Sequence, residues 1–497
     1  MNAVVRMTKI GITYLKGAVP GFEDFGNLPT DFVNSEGLVN GVEAHKELEC
    51  LIIPGGTIIE SADYGDSLKK EIRLMARDGK PVIGICAGFQ LLSNQIDIGR
   101  NSETPIIKEG LGLIDVEFSP LVSSDRVIAK ACDNSFIVDG VEEVTGFHTH
   151  TYGKIEGKAK PLFYSTIQRA NYSNVERTIL SGAVNDEGNV IGTMIHNILD
   201  ENPKIVENLL KYMDIDETAT ENIYKRNREY KEKLNKEIGI KTGIEVGSAK
   251  NTKSPRFLMI ASDGSESGKT FIQTGLAGAI RRRGYKVGLL KVGSDARDII
   301  PGLYLTKGKM EEYSCIKIGD LGWCDLKDGI PKSRDYDIVL IEGVMGTFTG
   351  LLNEKTPYSA GEIAAAANIP VLLVSGVNKG GIETSAINIT SHDKMLKKLG
   401  VKVKGAILNK VYNQEIFENA KTFIKTNSNI DEVFSVGKFK MPKRGSTPEI
   451  EIRYDLFSQA ALETVEKYLD IDKIIDMAEE IEFDRYLEID EIKSRIM

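Results

Sequence analysis

The chain of 497 residues has few cysteines (five), few histidines (five) and a single tryptophan. Cys50, Cys86, Cys132, Cys315 and Cys324 form no C-x-x-C pair. That argues against a disulfide scaffold and against a zinc or iron–sulfur framework built from several ligands. A reduced, cytoplasmic setting is the expectation. The sequence also lacks any apolar run of the ~18–20 residues that a membrane span needs. Its N-terminus shows no signal-type apolar core followed by a small-residue cleavage site, so neither membrane insertion nor export is expected. Positive charge is not in excess either: 63 Lys+Arg face 72 Asp+Glu, a formal charge of −9. A general nucleic-acid binder needs a basic face, so no nucleic-acid partner is expected. What is present is ordinary for a globular protein, 41% hydrophobic and 27% charged residues. A single core rarely grows beyond ~250–300 residues, which predicts two or more domains.

Apolar runs alternate with helical patterns, which predicts α/β architecture with parallel sheets. Residues 1–215 read as a first α/β domain, with strands at Lys9–Leu15, Cys50–Pro54 and Val82–Ile85 and a helix at Ser67–Asp78. Residues 216–254 are rich in Lys, Glu and Asn and read as a linker carrying an exposed helix, Asn222–Ile238. A homodimer contact through that helix is the alternative. Residues 255–445 read as a second doubly wound α/β domain, with strands at Phe257–Ala261, Lys286–Lys291, Ile338–Ile341, Val371–Ser375 and Lys404–Leu408. Residues 446–497 read as a helical C-terminal extension.

Val82–Leu92 reads V-I-G-I-C-A-G-F-Q-L-L. Gly84 and Gly88 flank Cys86 in the G-x-C-x-G spacing of a nucleophile elbow, where a strained strand-to-helix turn needs small neighbours. A cysteine at a helix N-terminus gains from the dipole and the free N–H groups. The N–H of Ala87 and the Gly55-Gly56 pair at the end of a neighbouring strand are candidate oxyanion donors. The competing reading is a buried structural Cys between two packing glycines. His196, at the end of a β-like run, is the candidate base. His148 and His150 form an H-x-H pair with no apparent third metal ligand. His45 reads as exposed, and His392 as a helix-start or loop residue.

Ile260–Thr270 reads I-A-S-D-G-S-E-S-G-K-T between a strand and a helix, the setting of a phosphate-binding loop. Gly264, Ser267, Gly268, Lys269 and Thr270 would line it, with Thr270 toward Mg²⁺. Asp263 stands where the strict motif has Gly, so a Gly/Ser turn before a helix is the competing reading. Glu342 ends the apolar strand Asp337–Glu342 and is a candidate Mg²⁺ carboxylate, as is Asp295 in Lys291–Asp298.

Taken in order, these stretches resemble known families. Gly17–Leu28, Leu51–Thr57, Gly84–Leu92, Gly146–Gly153 and Gly192–His196 resemble the glutamine amidotransferase domain of the cobyric acid synthase type. The resemblance implies Cys86 as nucleophile and His196 as base. Ala87 and Asn197 replace glycines of that pattern, and Ile198 stands where a three-residue triad has its acid, so no acid is expected behind His196. Lys291–Pro301, Glu342–Gly350, Ser359–Val374 and Gly405–Asn409 resemble the synthetase domain of the cobyrinic acid a,c-diamide synthase family, a relative of dethiobiotin synthetase. Thr349 departs from that pattern, and the two domains stand in reversed order.

The second resemblance implies ATP and Mg²⁺ as cofactors, a nucleotide-base contact from Asn409, and substrate contacts from Lys291 and Asp298. Gln90 of the first domain is a further substrate-contact candidate. Together the resemblances imply a carbon–nitrogen ligase that uses glutamine as nitrogen donor. ATP would phosphorylate a carboxylate, and ammonia would attack the acyl phosphate. The partners implied are glutamine and a polycarboxylate acceptor of the cobyrinic acid or sirohydrochlorin type. Lys438, Lys440, Lys443 and Arg444 are basic candidates for such an anion, or simply a solvated loop. The alternatives are an amidoligase for an unrelated carboxylate, and a regulatory P-loop protein with a residual glutaminase domain.

Overall fold

The computed structural model describes residues 8–13, 22–57, 64–244, 254–378, 380–438 and 454–496. The chain divides into two units, Met1–Glu237 with Lys443–Asp455, and Ile238–Pro442 with Leu456–Met497.

The first unit is built on a nine-stranded sheet. Its strand order is 143–147, 126–131, 160–170, 173–184, 190–193, 82–85, 50–53, 10–13, 31–33. The strands from 190–193 to 31–33 run parallel. Ile10–Thr13, Cys50–Ile53, Val82–Ile85 and Val190–Thr193 are buried along their whole length, as continuous apolar strands covered on both faces should be. The other half of the sheet is antiparallel, a feature the sequence reading did not separate from the rest. Its long hairpin turns at Asn171 and Tyr172, both with positive φ (50° and 65°), which matches the twist of the flanking strands. Helix Asp66–Arg77 buries Leu68, Ile72, Met75 and Ala76, the three-to-four spacing of one helical face.

The second unit is a seven-stranded, wholly parallel sheet. Its order is 315–316, 287–292, 338–342, 256–262, 371–376, 403–411, 432–437. Strand Arg256–Ser262 lies at its centre and leads into helix Lys269–Arg282, which is buried over most of its length. The C-terminal extension is helical, Tyr454–Tyr468, Ile471–Met477 and Ile489–Ile496, and from Leu456 onward it belongs to this unit. A side chain on Gly275 would collide with the Ala461 carbonyl, and the Phe257 amide donates to Glu479 O at 2.7 Å.

The boundary between the two units, Glu237/Ile238, falls inside the segment read as a linker, but its helix is not simply exposed. Helix Glu217–Thr242 runs unbroken for 26 residues and buries Ile223, Tyr230, Leu234 and Ile238. Within the first unit, Arg226 pairs with Asp31 at 2.5 Å and Asn227 Nδ2 donates to Pro29 O at 2.9 Å. The Tyr230 ring lies 4.7 Å from that of Phe32. Among the described residues no helix is long and apolar enough to cross a membrane.

Removing the Tyr230 ring should therefore cost the first unit about 3 kcal/mol, as truncation of a buried aromatic does. A solvated spacer would tolerate Tyr230→Ala within about 0.5 kcal/mol. Equilibrium denaturation of the two proteins distinguishes these outcomes.

Candidate functional site

Parallel strands 50–53, 82–85 and 190–193 end side by side, and each leads into a residue of the first site. Cys86 follows Ile85 and precedes helix Ala87–Leu92. Its backbone adopts φ 51° and ψ −109°, a conformation that costs a non-glycine residue about 1–3 kcal/mol. The turn is held by the Cys86 amide donating to Thr193 O at 2.7 Å and by the Gln90 amide donating to Cys86 O at 3.0 Å. The flanking glycines are required by close backbone approach. A Cβ on Gly84 would lie 2.6 Å from Gly88 O, and one on Gly88 would collide with the Ile53 carbonyl. Ala87 opens the helix, where N–H groups have no carbonyl one turn earlier to bond. Gly55 and Gly56 follow strand Cys50–Ile53 after Pro54. A Cβ on Gly55 would sit 2.6 Å from His196 Cε1 and 3.4 Å from Cys86 Cβ, so Gly55 lies against both side chains.

His196 is buried between two rings, stacked on Phe147 at 5.1 Å and tilted to Phe22 at 5.5 Å. The sequence reading placed no acid behind it; the structure places Glu23 there. Glu23 Oε1 lies 2.5 Å from His196 Nδ1, and Glu23 Oε2 accepts the Asn197 amide at 2.8 Å. Burial opposes charge on His196, but attraction from Glu23 and Cys86 outweighs it and raises the imidazole pKa to about 10. The Glu23 loop is itself anchored. Asp200 accepts the Asp24 amide at 2.8 Å and the Gly26 amide at 2.6 Å, and Lys231 pairs with Asp24 at 2.6 Å. Burial, then Glu23, push the Asp200 carboxyl up to about 6.

In the second unit, the loop after strand 256–262 carries Lys269 at the start of its helix, with Gly268 at φ 94°. Lys269 Nζ donates to Ser262 Oγ at 2.8 Å and to Met345 O at 2.6 Å. Burial lowers its pKa to about 8. Asp263, the departure from the strict motif, is fixed by three donors: Ser267 Oγ at 2.8 Å, Ser375 Oγ at 2.6 Å and Asn388 Nδ2 at 2.8 Å. It therefore ties the loop to two other elements where a glycine would leave it free. Gly264 has open space where a side chain would be. The parallel register sets Ile260, Glu342 and Lys291 abreast on three adjacent strands. Glu342 Oε1 accepts from Thr270 Oγ1 at 2.8 Å and from Lys291 Nζ at 3.0 Å. Lys291 also pairs with Asp298 at 2.7 Å. Burial raises the Glu342 carboxyl to about 7 against the pull of Lys291. Burial disfavours the Lys291 charge, but Asp298 and Glu342 more than restore it.

Glu342 Oε2 is buried with no hydrogen-bond partner. A hard carboxylate oxygen left open beside the Thr270 hydroxyl fits a Mg²⁺ ion, which takes oxygen ligands. Asp295 is turned toward Arg297, at 3.2 Å, so it stands apart from the Thr270–Glu342 pair in its hydrogen bonding.

Some candidates occupy other places than the sequence predicts. Gln90 is buried and its Nε2 donates to Tyr152 O at 2.8 Å, a bond inside the fold rather than a free substrate contact. Asn409 Nδ2 donates to Ser267 O at 2.9 Å and its Oδ1 accepts the Lys410 amide at 2.9 Å. Both polar ends are thus used on backbone, and Asn409 supports the phosphate loop from beside Gly268, where any Cβ would strike it. His45 is not exposed; its Nδ1 lies 2.6 Å from Glu71. His148 and His150 are buried ring neighbours, 4.9 Å apart. His392 lies within helix Gly381–Leu399, its ring stacked on Phe348 at 4.9 Å. Lys438 is exposed, whereas Lys440, Lys443 and Arg444 lie outside the described residues. The signal that could have exposed Glu23 is the stretch F-E-D-F-G-N: an acid between aromatics in a loop rich in turn residues.

Residues 22–204 match the CobB/CobQ-like glutamine amidotransferase domain. Residues 258–457 match the CobQ/CobB/MinD/ParA nucleotide binding domain. Among curated relatives, a cobyric acid synthase of Clostridium botulinum (strain Kyoto / Type A2) is 33% identical over 189 residues, 37% of this chain and 36% of the relative. A cobyrinate a,c-diamide synthase of Streptococcus sanguinis (strain SK36) is 29% identical over 232 residues, 44% of this chain and 49% of the relative. One of Dehalococcoides mccartyi (strain CBDB1) is 30% identical over 232 residues, 44% of this chain and 48% of the relative. The matched stretch thus spans about half or less of each relative.

Because Gly55 lies against both Cys86 and His196, Gly55→Ala should separate them. Alkylation of Cys86 by iodoacetamide at pH 7, followed peptide by peptide, should slow about tenfold as thiolate character is lost.

Proposed function

We propose that this chain, which joins a CobB/CobQ-like glutamine amidotransferase domain to a CobQ/CobB/MinD/ParA nucleotide binding domain, amidates carboxylates with nitrogen from glutamine at the expense of ATP. The observation that carries the reading is the pairing of two complementary sites in one chain. One has Cys86 and His196 with Gly55 wedged against both, and the other has Lys269, Thr270 and Glu342 around a phosphate loop. A nucleophilic cysteine that frees ammonia is useful where a second site activates an electrophile, and the second site has the groups for phosphoryl transfer.

In the first unit, the Cys86 thiolate attacks the side-chain amide carbon of glutamine. The N–H groups of Ala87 and Gly56 receive the developing oxyanion. His196 gives its proton to the departing ammonia, and then takes one from the water that opens the thioester, releasing glutamate. In the second unit, the backbone of Gly264–Thr270 and Lys269 hold the ATP phosphates. Mg²⁺, held by Thr270 and Glu342, would neutralise charge on the transferring phosphoryl group. Lys291, fixed by Glu342 and Asp298, presents a buried positive charge suited to the acceptor carboxylate. Ammonia attacks the resulting acyl phosphate and phosphate leaves.

The acceptor we infer is a polycarboxylate small molecule of the tetrapyrrole type. The names of the relatives, cobyric acid synthase and cobyrinate a,c-diamide synthase, support it. A cytoplasmic enzyme fits the absence of paired cysteines.

Glutamine, Mg-ATP and a panel of tetrapyrrole carboxylates, with products weighed by mass spectrometry, test the reading. Gain of one or more amide groups is the expected result. Failure to release glutamate under any condition would sink it. Cys86→Ala should abolish glutamine use and spare amidation with free ammonia. The pH dependence of nucleotide binding provides a second check. Glu342 is raised to about 7 in the free protein, and Mg²⁺ favours its ionised form. Mg-ATP affinity should therefore weaken on lowering the pH through about 7. Between pH 8 and pH 6 the wild type should lose about tenfold more affinity than Glu342→Gln, which cannot take up the proton. Calorimetric titration reads the difference.

A further inference from the structure

We infer that Glu23 is the third member of the glutamine-hydrolysing site: a positioning residue that holds His196 in the orientation and protonation state Cys86 needs. The inference rests on the glutaminase reading above. It adds a residue from a loop distant in sequence, 173 positions before the histidine.

Four observations carry it. Glu23 and His196 are both almost wholly buried, with side chains about 1% and 2% exposed. A carboxylate is not placed in such surroundings without strong partners. Each Glu23 oxygen has one: Oε1 meets His196 Nδ1 at 2.5 Å and Oε2 accepts the Asn197 amide at 2.8 Å, so the carboxylate cannot swing away from the ring. With Nδ1 engaged, the other ring nitrogen, Nε2, is buried with no hydrogen-bond partner, free for proton transfer. Attraction from Cys86 supports the imidazolium alongside that from Glu23. Finally, the loop is built for the purpose. Phe22 and Phe25 are buried on either side of the acid, Phe25, Gly26 and Asn27 take positive φ (53°, 65° and 58°), and Asp200 ties the Asp24 and Gly26 amides. Such a sequence of strained residues is maintained only where surrounding contacts fix it.

The ionisable groups facing the pair are few. Cys86 approaches from its helix, His148 from the segment after strand Glu143–Phe147, and Asp200 and Asp24 stand near Glu23. Of these, only Glu23 and Cys86 favour the charged imidazole enough to act on it in the balance that sets its pKa. The amide in Glu23→Gln would present a donor to Nδ1 in place of an acceptor, imposing the opposite tautomer, with the proton on Nε2. Such a ring cannot accept a proton from Cys86.

The test uses the full chain and its Glu23→Gln and Glu23→Asp variants. The first readout needs no substrate: iodoacetamide alkylation of Cys86 from pH 5 to pH 10, resolved by peptide mass spectrometry. The wild type should stay reactive around pH 7, while Glu23→Gln should fall about tenfold there and recover only above the ordinary thiol range, near pH 9. Glu23→Asp, which keeps the charge, should lie between the two. The second readout is glutamine hydrolysis with Mg-ATP present. For Glu23→Gln, kcat should drop about 10²-fold with KM little changed, the pattern of a lost proton-transfer partner. Cys50 is fully buried and serves as a folding control in the same digest. If Glu23→Gln labels Cys50, the aspartate variant alone decides, and a wild-type alkylation profile with loss of kcat there would overturn the assignment. A Glu23→Gln protein that is folded and alkylates like wild type at every pH would overturn it too. A wild type that never releases glutamate, yet shows the alkylation shift on mutation, would defeat the glutaminase reading while leaving Glu23 in its place.

Discussion

Parallel pairing is the constraint on which both sites depend. When short strands run in the same direction, their ends fall on one edge of the sheet, and the residue that follows each strand is delivered there. In the first unit, register sets Ile53 against Gly84 and Ile85 against Thr193, so the residues just beyond, Gly55, Cys86 and His196, converge. In the second, Ile260, Glu342 and Lys291 share one line across three strands, and Lys269 lies one loop further on. A slip of a single residue in either sheet would turn each of these side chains to the opposite face. The chemistry is thus specified first by backbone pairing and only then by side-chain identity. Glycine is needed where the pairing brings backbones too close for a Cβ, as at Gly84 and Gly88.

Buried charge is managed differently in the two units. Around His196 the balance favours a compact ion pair: a carboxylate with both oxygens occupied, held against Nδ1 of the ring, whose Nε2 is left without a partner. Around Glu342 the balance is left open. One oxygen is shared by Thr270 and Lys291, while the other has no partner and the carboxyl stays near neutrality. A carboxylate with both oxygens satisfied is suited to fixing the ring while the open Nε2 exchanges a proton. An unsatisfied oxygen in low dielectric is suited to a cation, because a metal ion supplies the compensation that the protein withholds. The two arrangements therefore correspond to the two kinds of chemistry assigned to them, proton transfer in one and phosphoryl transfer in the other.

Much of this was legible in the sequence where the signal is local. Strand Val82–Ile85, the Cys86 turn, the helix after Lys269 and Glu342 at a strand end each follow from a short apolar run ending in glycine or an acid. What escaped was non-local. Glu23 lies in a loop whose strained backbone has no periodicity, and its partner is on the far side of the first unit's sequence. Gln90 and Asn409 have structural partners that escaped for a related reason. Polar residues beside a motif look available for a ligand, but each is occupied by a backbone group that only the fold brings near, Tyr152 O for one and Ser267 O for the other.

The helix Glu217–Thr242 shows the same limit from the side of composition. Its sequence is dominated by Lys, Glu and Asn, and average polarity reads as a solvated spacer. A helix, however, needs only one residue in about three or four to be apolar in order to dock. In the first unit Ile223, Tyr230 and Leu234 provide that stripe, spaced by seven and four residues. The polar residues between them then acquire particular partners: Arg226 takes Asp31, Asn227 takes the Pro29 carbonyl, and Lys231 takes Asp24 and Asn27. Asp24 is next in sequence to the acid that meets His196. A segment that composition assigns to the space between domains is therefore part of the wall that positions a residue of the first site. Of its charged side chains, Lys231 is an outer support of the Glu23 loop through Asp24 and Asn27.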